Sequence, residues 1–66
     1  MKIVKGAQYQ INYVEDPVYT HYVGPATATG YTQDIDGLCY GFDIILEDGS
    51  RENGWFPEES IGRQIK

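Results

Sequence analysis

Residues 38–47 alternate between apolar and polar or small side chains with a period of two, and this run constrains the fold more than any other feature of the sequence. Alternation of this kind predicts a β-strand with one buried face. Asp48-Gly49 follows at once and is a strong signal for a tight hairpin. One face of the predicted strand carries Leu38, Tyr40, Phe42, Ile44 and Leu46. Phe42 and Leu46 are therefore expected in the core.

The other segments also favour short strands, and no 3.6-residue period persists long enough for a helix. We predict strands over residues 7–13, 26–32, 51–56 and 61–65. Pro57 followed by two acidic residues suits one helical turn over residues 57–60. Gly24-Pro25 and the segment from Asp34 to Gly37 are interpreted as breaks between strands.

Five short strands with one apolar face each bury that face best by curling into a small barrel, which also removes most open edges. We therefore predict one all-β domain over residues 1–66, a five-stranded antiparallel barrel with a one-turn helix before the last strand. At 66 residues the chain is one domain of marginal stability.

The chain holds one Cys and one His, which excludes an internal disulfide and a structural zinc site. It has no apolar run near the roughly 18 residues of a membrane span and no signal sequence, so we expect a complete, small cytoplasmic protein. Asp34 and Asp36 lack the spacing of a calcium loop, and no Gly-rich phosphate loop is present. We expect neither a metal nor a cofactor.

His21 with Cys39 is the one conceivable nucleophilic pair. Cys39 falls in the middle of a predicted strand, where a small buried apolar role is usual. We therefore expect no catalytic residues and no enzymatic activity.

The net charge is −5, and its distribution restricts the possible partners. No Lys or Arg stands between Lys5 and Arg51, a poor pattern for contacting nucleic-acid phosphates. An acidic surface attracts basic partners, although it also serves solubility, and both interpretations remain open. That stretch holds seven acidic residues: Glu15, Asp16, Asp34, Asp36, Asp43, Glu47 and Asp48.

Residues 52–61, Glu-Asn-Gly-Trp-Phe-Pro-Glu-Glu-Ser-Ile, resemble the end of a Src-homology-three (SH3-like) domain. In that family a strand ending Gly-x-Phe-Pro runs into a one-turn helix and a last short strand. The upstream order of strands and the Asp-Gly hairpin agree with this family and with related small barrels such as Tudor and KOW domains. The resemblance implies the barrel fold.

The resemblance does not imply recognition of proline-rich peptides. The Ala-Leu-Tyr-Asp-Tyr-type motif of the first strand and the Trp that opens the third strand are both missing. Ser60 stands where the family has Tyr, and of the peptide-gripping residues only Pro57 matches by position.

Nine aromatic residues (one Trp, six Tyr and two Phe) are more than one small core holds, so several are expected at the surface. The resemblance maps a groove whose aromatic floor and acidic rim suit a basic peptide or protein patch. The alternative is that these aromatics pack under loops and the acids are merely solvated. The floor is Tyr19, Tyr22, Trp55 and Pro57, and the rim is Glu15, Asp16, Asp34 and Asp36.

Two functions follow from these features. The first is a non-catalytic protein-interaction module that docks a basic partner in this groove. The second is a small inhibitor of the viral type, whose acids imitate nucleic-acid phosphates and block a host enzyme. Neighbouring residues on a strand point to opposite faces, so one of Trp55 and Phe56 is expected in the core. The resemblance implies that Phe56 is the inner one, which leaves Trp55 outside, beside Tyr19 or Tyr22.

Overall fold

The computed structural model describes residues 2–12, 22–34 and 37–65. These residues form only β-strands and a single 3-10 turn, and no helix among them is long and apolar enough to cross a membrane. The predicted all-β class is therefore confirmed, as is the short helical turn before the last strand. In chain order the elements are β1 (Gln8–Ile11), β2 (Gly24–Asp34), β3 (Leu38–Ile45), β4 (Arg51–Pro57), the 3-10 turn (Glu58–Ser60) and β5 (Ile61–Gln64).

The five strands form one antiparallel sheet in the order β4-β3-β2-β1-β5. The long β2 joins the two halves of the sheet, because its first residues, from Gly24 to Thr27, pair with β1 and the remainder, from Thr27 to Asp34, pairs with β3. The first and last strands are neighbours, with Ile11 opposite Ile61. Closure of this sheet into a barrel stays a prediction.

The boundaries of β1, β2 and β3 differ from the predicted ones. β1 ends at Ile11, and β2 runs on to Asp34, which was expected in a turn. β2 begins at Gly24, so Gly24-Pro25 lies inside a strand, opposite Ile11 and Gln10 of β1. Proline is tolerated there because it stands at the start of the strand. β3 ends at Ile45 because Leu46 already belongs to the hairpin: its N–H donates to the Ser50 carbonyl at 2.9 Å.

Phe42 stands at the centre of the core, with none of its surface exposed. Its ring makes edge-to-face contacts with Tyr9 and Phe56, each at a centroid distance of 5.9 Å. The core prediction is confirmed for Phe42, whereas Leu46 is only partly buried and Leu38 is 52% exposed. Leu38 is the first residue of β3, and Leu46 lies just beyond its last residue. The core residues are Ala7, Tyr9, Ile11, Ala26, Ala28, Tyr40, Phe42, Ile44, Phe56 and Ile61.

The predicted Asp48-Gly49 hairpin joins β3 to β4. One Asp48 carboxylate oxygen accepts hydrogen bonds from the Ser50 hydroxyl at 2.6 Å and from the Ser50 N–H at 2.9 Å. These two bonds hold the pKa of Asp48 below its ordinary value of 3.8. Gly49 has a φ of +87°, a conformation that residues with a Cβ rarely adopt.

A β-bulge interrupts the pairing of β2 with β3. Ala28 lies opposite Phe42 and Thr32 opposite Tyr40, so residues 29–31 of β2 face a single residue of β3, Gly41. Gly30 absorbs the bend with a φ of +89°. Bulges re-aim side chains, and here the next residue, Tyr31, is 72% exposed.

Candidate partner-binding surface

β4 places its two large aromatic residues on opposite faces of the sheet. Phe56 enters the core and is 1% exposed, which confirms the predicted inward facing. Trp55 is only half-buried and lies on the outer face, the face that points away from the core.

The Trp55 side chain packs against Gly41. The two residues are directly opposite each other in the β3–β4 ladder. A Cβ at position 41 would lie 3.2 Å from Cζ3 of Trp55 and 2.7 Å from Oγ1 of Thr29. The Thr29 hydroxyl donates a hydrogen bond to the Gly41 carbonyl at 3.2 Å, and this bond holds the Thr29 side chain close to Gly41. The absence of a side chain at residue 41 therefore lets the Trp55 ring lie close against the sheet.

Gly41→Ala is expected to push the Trp55 ring away from the sheet. The contact with Thr29 is shorter than real Cβ contacts allow, and overpacking of this kind costs about 1–3 kcal/mol of unfolding free energy. Tryptophan fluorescence should show a red-shifted emission, more accessible to quenchers, in a protein that still folds. Gly62→Ala provides the comparison, because a Cβ there is similarly crowded, 2.9 Å from Asn12, but meets no part of Trp55. An emission spectrum unchanged by Gly41→Ala would contradict the stacking of Trp55 on Gly41.

A small cleft of about 60 Å³ opens beside the bulge. Exposed Tyr31 forms one side of it, and Gly41 borders both this cleft and the Trp55 ring. The sequence signalled this region only through Gly30, since a Gly within a strand pattern is typical of a bulge. The lining residues are Ile3, Gly30, Tyr31, Thr32, Tyr40 and Gly41.

The strand register places one acidic residue on the outer face next to Trp55. Asp43 is exposed and lies opposite Thr27 on one side and Asn53 on the other. Trp55 is two residues beyond Asn53, so Asp43 and Trp55 are diagonal cross-strand neighbours on the same face. Arg51 is the diagonal neighbour of Asp43 on the hairpin side, opposite Ile45. The outer face of β3 and β4 thus combines an aromatic ring with a carboxylate.

The structure does not bring Tyr22 and Trp55 together on one groove floor, as the sequence mapping expected. Tyr22 packs against Phe56 on the core side, at a centroid distance of 6.4 Å, and its hydroxyl donates to the Pro25 carbonyl at 2.8 Å. It lines a separate, open depression of about 400 Å³ together with Val23, Ile45, Leu46 and Glu47. The mapping failed because residues 13–21 carry no periodic pattern that fixes which way Tyr22 faces.

The remaining predicted site residues divide into two groups. Pro57 is buried at the end of β4, opposite Cys39, and on the same face as Trp55. Asp34 is exposed and accepts a hydrogen bond from the Gly37 N–H at 3.3 Å. Glu15, Asp16, Tyr19 and Asp36 lie outside the described residues. Their part in binding stays a prediction.

Among residues 2–12, 22–34 and 37–65, no three His, Cys, Asp or Glu side chains are grouped so that they could hold a metal ion. Cys39 is fully buried, and its thiol lies 3.8 Å from the Gly37 carbonyl oxygen. His21, its conceivable catalytic partner, lies outside the described residues.

No protein-family model, curated protein or solved structure matches this chain. The Src-homology-three resemblance therefore stays a prediction, and the argument for function rests on the residues of the outer face.

Proposed function

We propose that this chain is a non-catalytic protein-interaction module, built on a small barrel of the SH3-like kind, that docks a basic protein partner on the outer face around Trp55. The observation that carries the proposal is the half-buried Trp55 ring, held against Gly41 and flanked by exposed Asp43. The outer face replaces the groove expected from the sequence as the docking surface.

The aromatic part of this surface suits protein binding. A Trp that is already packed on one side loses little conformational freedom when a partner covers the other side. Trp and Tyr are also the side chains enriched among the residues that dominate binding energies. Tyr31 is 72% exposed and lines the same cleft as Gly41, so it offers a second exposed aromatic side chain for a partner.

The charge of the chain favours a basic partner. Its net charge is −5, and long-range attraction of a basic surface would speed encounter with the acidic one. The 3-10 turn that follows Pro57 adds the exposed acids Glu58 and Glu59. Nucleic acid is disfavoured because it would need a row of Lys and Arg.

The second candidate, an inhibitor that imitates nucleic-acid phosphates, is favoured by the β3–β4 hairpin, where Glu47, Asp48 and Glu52 are all exposed. That function would use the hairpin acids and would not need Trp55. The two proposals therefore differ in which substitutions abolish binding.

Selection from a random-peptide display library against the folded protein, at physiological salt, tests the first proposal. We expect the selected peptides to be enriched in Lys and Arg and to lose affinity for the Trp55→Ala variant. The double variant Glu47→Gln/Glu52→Gln should keep its affinity for them. Docking on the outer face would be contradicted if the selected peptides had no excess of basic residues. It would also be contradicted if their affinity fell with Glu47→Gln/Glu52→Gln but not with Trp55→Ala.

A further inference from the structure

The geometry of the outer face points to arginine, rather than lysine, as the residue of the partner that it binds. We infer that an arginine side chain stacks on Trp55 while its guanidinium pairs with Asp43. This inference rests on the proposed function and specifies the chemistry of the partner at the same site.

The spacing of the two groups comes from the β3–β4 register. Asp43 is directly opposite Asn53, and Trp55 is the next outward-facing residue along β4. Diagonal neighbours of this kind have Cα atoms about 7–8 Å apart, within reach of aromatic and long side chains. A single side chain lying across β4 can therefore touch the indole ring and the carboxylate together.

The position of the ring favours a flat group. Gly41 lets one side of the indole lie against the sheet, so the surface offered to a partner is the opposite face or the upper edge of the ring. A guanidinium is planar, stacks on aromatic faces and pairs with a carboxylate through two parallel hydrogen bonds. A lysine ammonium is a compact, strongly hydrated point charge and cannot make both planar contacts at once.

Arg51, the cation diagonal to Asp43 on this face, lies on the side of Asp43 that points away from Trp55, toward the hairpin. Thr27 and Asn53 flank Asp43 across the two ladders and carry no charge. The strand neighbours of Asp43 therefore place no cation on its Trp55 side, while the Lys5 stem packs against Gly30 in the bulge.

Two synthetic nonapeptides of equal charge test the inference: three Gly-Arg-Ser repeats and three Gly-Lys-Ser repeats. The chain has one Trp, so its indole N–H gives one signal that can be followed by NMR during titration of the 66-residue chain. We expect the arginine peptide to bind about fivefold more tightly, the factor that one additional exposed charge contact supplies. Asp43→Asn should reduce this ratio to near one.

Glu47→Gln is the matched control, because it removes the same charge from an exposed residue of the hairpin, away from Trp55. It should leave the affinity for each peptide, and therefore their ratio, close to that of the parent protein. Equal binding of the two peptides with a shift of the Trp55 signal would overturn the preference for arginine and leave the proposed function standing. If neither peptide moves that signal, the docking surface itself is wrong. A ratio that survives Asp43→Asn would exclude Asp43 as the partner of the guanidinium.

Discussion

Phe42→Ala is expected to destabilise the protein by about 3–5 kcal/mol, which is enough to unfold a domain of this size. Phe42 is fully buried and contacts two other core rings, Tyr9 and Phe56, edge to face. Its loss would leave a cavity between β1 and β4 that short strands cannot collapse to fill. Urea denaturation followed by circular dichroism measures the effect.

Ile45→Ala is the control for this substitution, because Ile45 is on the same strand but is 59% exposed. It should change the free energy of unfolding by less than about 1 kcal/mol. If the Phe42→Ala variant melted within a few degrees of the parent, the facing of β3 described above would be incorrect.

Trp55→Ala is expected to leave the protein folded and to reduce partner binding by at least about 2 kcal/mol, roughly a 30-fold loss of affinity. The fold should survive because Trp55 lies on the outer face and contributes nothing to the Phe42 core. Binding should fall because the ring is the main aromatic contact of the proposed surface. Titration with a peptide from the display selection, with circular dichroism on the same samples, measures both effects.

Trp55→Phe separates loss of the aromatic ring from loss of the indole, and it should retain more of the affinity than the alanine variant. In the parent protein, Trp fluorescence should be partly accessible to quenchers, as a half-buried ring requires. A blue, protected emission, together with a Trp55→Ala variant that does not fold, would place Trp55 in the core and remove the main contact of the proposed surface.

The parts of the fold that the sequence predicts are those with a strong period or a specific turn. The alternation over residues 38–47 identified β3 and the inward facing of Tyr40, Phe42 and Ile44. Asp48-Gly49 identified the hairpin because few residue pairs suit that turn. The Phe56 facing followed from strand alternation and from the resemblance of the Trp-Phe-Pro segment.

The candidate site was predicted only in part, because its geometry depends on features without a local signature. The Ala-Thr-Ala-Thr-Gly run of residues 26–30 consists of small residues that fit either face, so the bulge opposite Gly41 and the exposure of Tyr31 did not follow from it. Asp43 lies next to Trp55 because of the register in which β4 pairs with β3. Away from the hairpin turn, the sequence alone does not specify that register. The facing of Tyr22 was not predictable either, because residues 13–21 carry no periodic pattern that would set it.

The pairing of β1 with β5 has a consequence for how the chain reaches its native state. Ile11 and Ile61 are opposite each other although they stand near opposite ends of the sequence, so this ladder closes the largest loop of any strand pair in the sheet. Closing this loop costs conformational entropy before the β1–β5 contacts can offset it. Topologies rich in distant strand pairings therefore fold in milliseconds to seconds rather than in microseconds. During synthesis, β1 emerges long before its last neighbour exists. Until β5 has been made, β1 has an unpaired edge, and its apolar residues Tyr9 and Ile11 are less buried than in the native sheet. The newly made chain can therefore associate with other chains at this stage.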